Sequence, residues 1–216
     1  MTRPKGRPAG SLQNRVLPTG EIVAEATYRG MFTGNRGILH RADATLGASR
    51  WTHPHWVTCT LTHPRGHHHG AMPDRGWTAL FFLDEAVALA AGHRPCGYCR
   101  RAAYDAWLAA WAQAHGPTDR MIMDRRLHGA RVTRNRAQFR HQAEAQALPD
   151  GVFVLWRDRP HLLVGAQALP FDVNGYGPAQ PRPPGPVTIL TPRPTVAVLA
   201  AGYKADIHPS AADDGV

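Results

Sequence analysis

Gly92-His93-Arg94-Pro95-Cys96-Gly97-Tyr98-Cys99-Arg100-Arg101 is a Cys-x2-Cys knuckle, entered from an alanine-rich segment and left through two arginines. The chain has three cysteines, and the third lies upstream in Cys59-Thr60-Leu61-Thr62-His63. A Cys-x3-His pair and a Cys-x2-Cys pair together supply four soft or borderline donors, the set that tetrahedral Zn2+ takes. The expectation is one structural zinc in a Cys3His site of Cys59, His63, Cys96 and Cys99. His63 enters on spacing; His55, His67, His68, His69 and His93 compete for the fourth position. A thioredoxin-like redox pair would need a strand, an active-site turn and a long helix around the two thiols. Two inert core thiols fit less well with Pro95, Gly97 and the basic residues Arg94, Arg100 and Arg101.

Outward from the knuckle, Asp84 reads as the N-cap of a helix to Ala91, with Gly92 ending it in the left-handed region. Residues 77–83 read as a short strand. Residues 51–61 alternate aromatic and polar positions, so His55, Val57 and Cys59 share one strand face. Strand, helix and knuckle then bring Cys96 and Cys99 back toward Cys59. Residues 101–115 form the clearest helix, with Tyr104, Trp107, Leu108 and Trp111 on one face, read as core rather than as a base-stacking surface. Gly116-Pro117 stops it.

Residues 133–148 read as a second helix with Arg134, Arg136 and Arg140 in its first half, where a docked phosphate would relieve the conflict with the helix dipole. Beyond 150 the texture is β: residues 152–156 and 161–164 flank Asp158-Arg159-Pro160 as a hairpin. Five prolines in 178–186 read as a linker or extended arm. A strand over 187–190 and a helix over 194–201, ended by Gly202, follow. Residues 87–93 and 197–203 form a weak repeat of the same helix and glycine stop. Toward the N-terminus, residues 15–26 read as a hairpin turning at Pro18-Thr19-Gly20, and the Gly-punctuated residues 28–40 as a loop. The fold class is α+β, a small zinc-knuckle unit followed by helices and a β-rich C-terminal region. The expected divisions are a disordered basic tail (1–14), a zinc-binding domain with an N-terminal extension (15–116), a C-terminal helix and β-hairpin region (117–208) and a loose tail (209–216).

The stretch from Phe81 to Arg100, with its Ala90-Ala91-Gly92-His93-Arg94-Pro95-Cys96 turn, resembles the methylphosphotriester-type zinc-binding domain of the bacterial Ada DNA-repair family. The resemblance covers residues 56–101, about a fifth of the chain. It implies zinc, with Cys59 at the family's first ligand position and Cys96 and Cys99 at the last two. His63 falls where the family has a second cysteine. Four thiolates leave the zinc site at about −2, whereas one histidine makes it about −1 and the sulfur less nucleophilic. The chain lacks the family's helix-turn-helix regulator and its alkyl-guanine acceptor segment. Methyl acceptance by Cys59 is therefore a third reading behind a closed structural site.

The net charge is +9 and the sequence pI about 10.3, which suits a polyanionic partner. Arginine outnumbers lysine 23 to 2, a bias that a GC-rich genome also produces; yet residues 100–140 hold nine arginines against three aspartates. DNA or RNA contact is expected through Arg94, Arg100, Arg101, Arg134, Arg136 and Arg140. Lys5-Gly6-Arg7-Pro8 matches the core of an AT-hook, although an ordinary basic tail explains it as well. The alternative function is a hydrolase or nuclease with a scaffold zinc and His128 as general base; an Asp124–His128 surface pair explains that spacing more simply. Walker, nucleotide-fingerprint, zincin and serine-hydrolase motifs are absent from the sequence, as is the His-x-Glu of zinc deaminases. No apolar run is long enough to span a membrane, the N-terminus lacks a secretory h-region, and cysteines placed as ligands point to the reducing cytoplasm.

Overall fold

The structure, a computed structural model, describes residues 11–62, 64 and 77–212. Its N-terminal sheet begins with a hairpin, β1 (Arg15–Val16) and β2 (Ile22–Val23), which turns on Gly20 at φ +83°. β3 (Phe32–Asn35), β4 (Val57–Thr60) and β5 (Leu80–Phe82) follow. Helix α1 (Glu85–Ala90) then leads into β6 (Arg94–Pro95). The sheet order is β2-β1-β5-β3-β4-β6, antiparallel except at β1–β5 and β4–β6. Two longer helices come next, α2 (Arg101–His115) and α3 (Arg120–Arg131).

The C-terminal sheet is built from β7 (His141–Glu144), β8 (Phe153–Trp156), β9 (Arg159–Val164), β10 (Gln167–Asp172), β11 (Gly175–Tyr176), β12 (Gln180–Pro181) and β13 (Pro186–Ile189). Its order is β11-β10-β9-β8-β13-β7, with β12 on β10. Helix α4 (Arg193–Ala200) packs on α2 and α3. The architecture is α+β, with the cysteine-bearing sheet first, helices in the middle and a β-rich C-terminal part.

The core explains how the parts sit together. All six residues of α1 are buried, the five after Glu85 being apolar as a helix enclosed on every side requires, and α1 touches both β5 and β8. One apolar cluster joins Val16, Phe82 and Val87 to Phe153, Leu162 and Phe171 across the two sheets. The other joins Trp107, Trp111, Met123 and Leu127 to Val154, Leu163 and Val198. Trp107 and Trp111 are thus core. Both clusters draw on residues before and after position 116.

Several expectations are corrected. Residues 133–148 are not a helix: α3 ends at Arg131, Arg136 takes φ +65°, and β7 pairs residue by residue with β13. The phosphate-at-a-helix-start argument for Arg134, Arg136 and Arg140 falls with it. Residues 28–40 are not a loop, because β3 runs through them between β5 and β4. The regular strand before Cys59 is only β4, so His55 precedes it. Residues 11–14 are no tail, since Asn14 is buried and donates to the Ala79 carbonyl at 2.9 Å. Residues 209–211 form a 3-10 turn whose Ser210 hydroxyl accepts the Tyr176 N–H at 2.9 Å. The proline-rich arm is anchored by Arg182, which donates to the carbonyls of Ala145 and Leu148. The AT-hook-like residues 5–8 lie outside the described residues. Among the described residues no helix is long and apolar enough to cross a membrane.

Candidate metal centre

Backbone pairing brings the three thiols together. β4 lies between β3 and β6, with Thr33 opposite Cys59 and Thr58 beside Pro95. The Cys96 N–H donates to the Thr58 carbonyl at 2.9 Å, which places Cys96 next to Cys59. The Arg100 N–H then donates to the Cys96 carbonyl at 3.0 Å, closing the turn that carries Cys99 and starts α2. Gly97 sits close to α2: a Cβ there would lie 3.0 Å from Cδ1 of Tyr104, so a side chain at this turn would require the Tyr104 ring to give by a few tenths of an ångström.

The Sγ atoms of Cys59, Cys96 and Cys99 all lie within 4.8 Å of one another. Tetrahedral Zn2+ with Zn–S of about 2.3 Å requires S···S separations of roughly 3.8 Å. The cluster therefore needs a contraction of about 1 Å at most to close on a metal. The electrostatics are uneven. The Cys96 thiol is pulled down to about 5 by a hydrogen bond from Cys59, with further help from the backbone N–H groups of Cys99 and Tyr98. The Cys59 thiol is pushed up because it donates to Cys96, and burial adds to the shift. Burial also raises Cys99, helped by the charge on Cys96. The hydrogen bonds within the cluster thus favour the thiolate on Cys96 over one on Cys59 or Cys99.

The donor set corrects the expected composition. Among the described residues the cluster is three cysteines, not Cys3His. His63, His67, His68 and His69 lie outside the described residues. His55 is held by Asp124, with Nδ1 2.7 Å from Oδ2. His93 is fully buried, its ring 4.6 Å from Phe82 and 5.3 Å from Trp56, and its Nε2 accepts from Arg36. Cys59 is the most buried of the three sulfurs, which disfavours its attack on a bulky phosphotriester.

The arginines divide into two groups. Arg94 is buried and bidentate to Asp124, at 2.7 Å through Nε and 2.8 Å through Nη2. Arg100 is bidentate to the buried Glu85, at 2.6 and 2.9 Å, and also reaches Asp206. Both are thus taken up by carboxylates inside the fold and are not available to phosphate. Arg101 is exposed and pairs with Asp105 at 2.9 Å, while Arg134, Arg136 and Arg140 are exposed. The expected Asp124–His128 surface pair is replaced. Asp124 is fully buried on Arg94 and His55, and His128 Nδ1 lies 3.0 Å from Nη2 of Arg131.

Two features escaped sequence reasoning. One is the Arg94–Asp124–His55 network, which ties α3 to the entry of the knuckle. The other is a stack on Trp56, with the guanidinium carbons of Arg36 and Arg131 at 4.0 and 3.8 Å from its ring centroid. Each joins segments far apart in the chain, so no local spacing signals it. No family model matches the chain, and neither a curated protein nor a solved structure matches it.

Proposed function

We propose that this is a zinc-binding protein in which Cys59, Cys96 and Cys99 hold one Zn2+ as thiolates, bracing the edge of the N-terminal sheet against the start of α2. The observation that carries the reading is the convergence of all three cysteine sulfurs of the chain within 4.8 Å. Thiolate donors select zinc among the abundant divalent ions, because calcium and magnesium prefer oxygen. Three thiolates on Zn2+ carry a net charge of about −1. The backbone N–H groups of Tyr98 and Cys99, directed at Cys96, help the site to hold that charge. The resemblance of residues 56–101 to the Ada-type zinc domain favours the same metal.

The test is zinc stoichiometry by native mass spectrometry, on the chain purified without chelator and on Cys59→Ser, Cys96→Ser and Cys99→Ser. One zinc per wild-type chain, lost or weakened in each variant, is expected. Cobalt substitution should add a thiolate charge-transfer band that shrinks in each variant. A chain that carries no zinc, or keeps it in Cys96→Ser, would refute the reading.

A further inference from the structure

Between the loop after β3 and the turn after α3, at the C-terminal end of α1, lies a pocket of about 240 Å³. Five arginines line it, together with Trp51, Trp56 and a single acid, Glu21, which is exposed and accepts from the Thr19 hydroxyl. Arg36 and Arg131 are buried to within 2 % of full coverage. Among the described residues no carboxylate lies within 4.0 Å of either, and Asp124, whose charge acts on Arg131, is bound by Arg94 and His55.

The hydrogen bonds that hold the two guanidiniums leave donors over. Among the described residues Arg36 gives two long bonds, 3.3 Å each, to His93 Nε2 and the Ala91 carbonyl. Arg131 donates to the Gly92 and Pro54 carbonyls and its Nη2 lies 3.0 Å from His128 Nδ1, but its Nε is buried without a partner. Burial, followed by the nearby charge of Arg50, lowers Arg36 to about 9; Arg131 is lowered by burial and then by Arg36. A guanidinium does not give up its proton in a protein. The strain of two desolvated, mutually repelling cations therefore appears as affinity for an anion.

We propose that this pocket binds the phosphate of a nucleotide, Arg36 and Arg131 meeting it from the buried side and Arg50, Arg136 and Arg140 from the rim, with Trp51 as the stacking platform for the base. Planar, forked guanidiniums match phosphate oxygens bidentately. Trp51 is half-buried and lies 5.8 Å from the Trp56 ring and 5.3 Å from His128, so its position is set by neighbours while part of it remains open. The pocket is suited to one nucleotide, either free or at the phosphorylated end of a strand.

The test is isothermal titration of the full chain, as purified, with a nucleoside 5′-monophosphate, its nucleoside, orthophosphate, and a short single strand with or without a 5′-phosphate. The monophosphate or the 5′-phosphorylated strand should bind at least tenfold tighter than its phosphate-free counterpart and weaken with added salt; which of the two binds identifies the source. Arg50→Gln/Arg140→Gln, at the rim and checked by an unchanged melting temperature, should weaken binding by tenfold or more. Trp51→Leu should weaken the nucleotide by about fivefold or more and leave orthophosphate unchanged. Equal binding of nucleoside and nucleotide, orthophosphate binding as tightly as nucleotide, affinity unchanged in the double variant, or no binding at all would each overturn the proposal. Zinc content is read separately, so failure here leaves the three-thiolate site standing.

Discussion

His93 shows how a single buried ring registers the charges around it. Arg36 donates to Nε2, so the proton of the neutral imidazole sits on Nδ1. Burial, and then the charges of Arg36 and Arg131, hold the group well below the ordinary histidine range. In the unfolded chain His93 takes up a proton as pH falls through about 6.5, whereas the folded chain does not. Its contribution to stability is thus fully present above that pH and declines below it, by up to about 1.4 kcal/mol per unit. Nitrogen-15 NMR should find His93 neutral, with the proton on Nδ1, at pH 5.5; a titration midpoint near 6.5 would contradict the burial argument. Gly34 makes a second residue-scale point. In the sequence it reads as loop punctuation, but it sits in β3, where a Cβ would come within 2.5 Å of the Phe82 ring and 2.9 Å of the Val57 carbonyl. Gly34→Ala should cost about 1–3 kcal/mol by urea denaturation; a loss under about 0.5 kcal/mol would mean that the sheet gives way easily.

Among the elements, α1 and α4 end in the same device. Gly92 and Gly202 take φ +88° and +98°. The next N–H reaches back to Ala88 in one case, at 2.9 Å, and to Val198 in the other, at 3.2 Å. This is the Schellman closure, and it accounts for the weak repeat of residues 87–93 and 197–203. The two stops differ in their surroundings. A Cβ on Gly92 would meet Arg131 Cδ at 2.5 Å, whereas one on Gly202 meets nothing within 4 Å. Gly202→Ala should therefore cost only the left-handed strain of about 1–2 kcal/mol. Gly92→Ala should cost more and also displace Arg131; thermal melts giving equal losses would show that Arg131 moves aside freely. Helices were legible where caps and apolar periodicity coincide, as in α1, α2 and α4. β7 was not, because His141-Gln142-Ala143-Glu144 has no apolar alternation and becomes a strand only through its pairing with β13, more than forty residues on. The same tertiary override concealed β3.

For the whole molecule, the question is how much of the fold depends on the metal. Cys96 and Cys99 were legible as a pair from spacing, and Cys59 as the remaining thiol. The parallel β4–β6 pairing that joins them was not, because it rests on backbone contacts between distant segments. A small zinc finger unfolds without its metal because it has little else to hold it. Here two apolar clusters span both sheets and all four α-helices, so chelation should loosen the knuckle without dissolving the core. In a chain of this size each kcal/mol moves the melting temperature by about 2–4 °C. A contribution of roughly 3 kcal/mol from the metal would thus appear as a fall of about 6–12 °C on EDTA treatment, with far-UV circular dichroism at 25 °C largely retained. Acid should act in the same direction. With Cys59 and Cys99 held above the ordinary thiol range and Cys96 below it, loading the site releases protons, chiefly those of Cys59 and Cys99, and zinc affinity falls as pH falls. Calorimetry in buffers of different ionisation enthalpy measures that release. Complete unfolding on chelation at 25 °C would place the metal at the centre of folding. An unchanged melting temperature, after mass spectrometry has shown the zinc removed, would make the three thiols a binding site that the fold does not need.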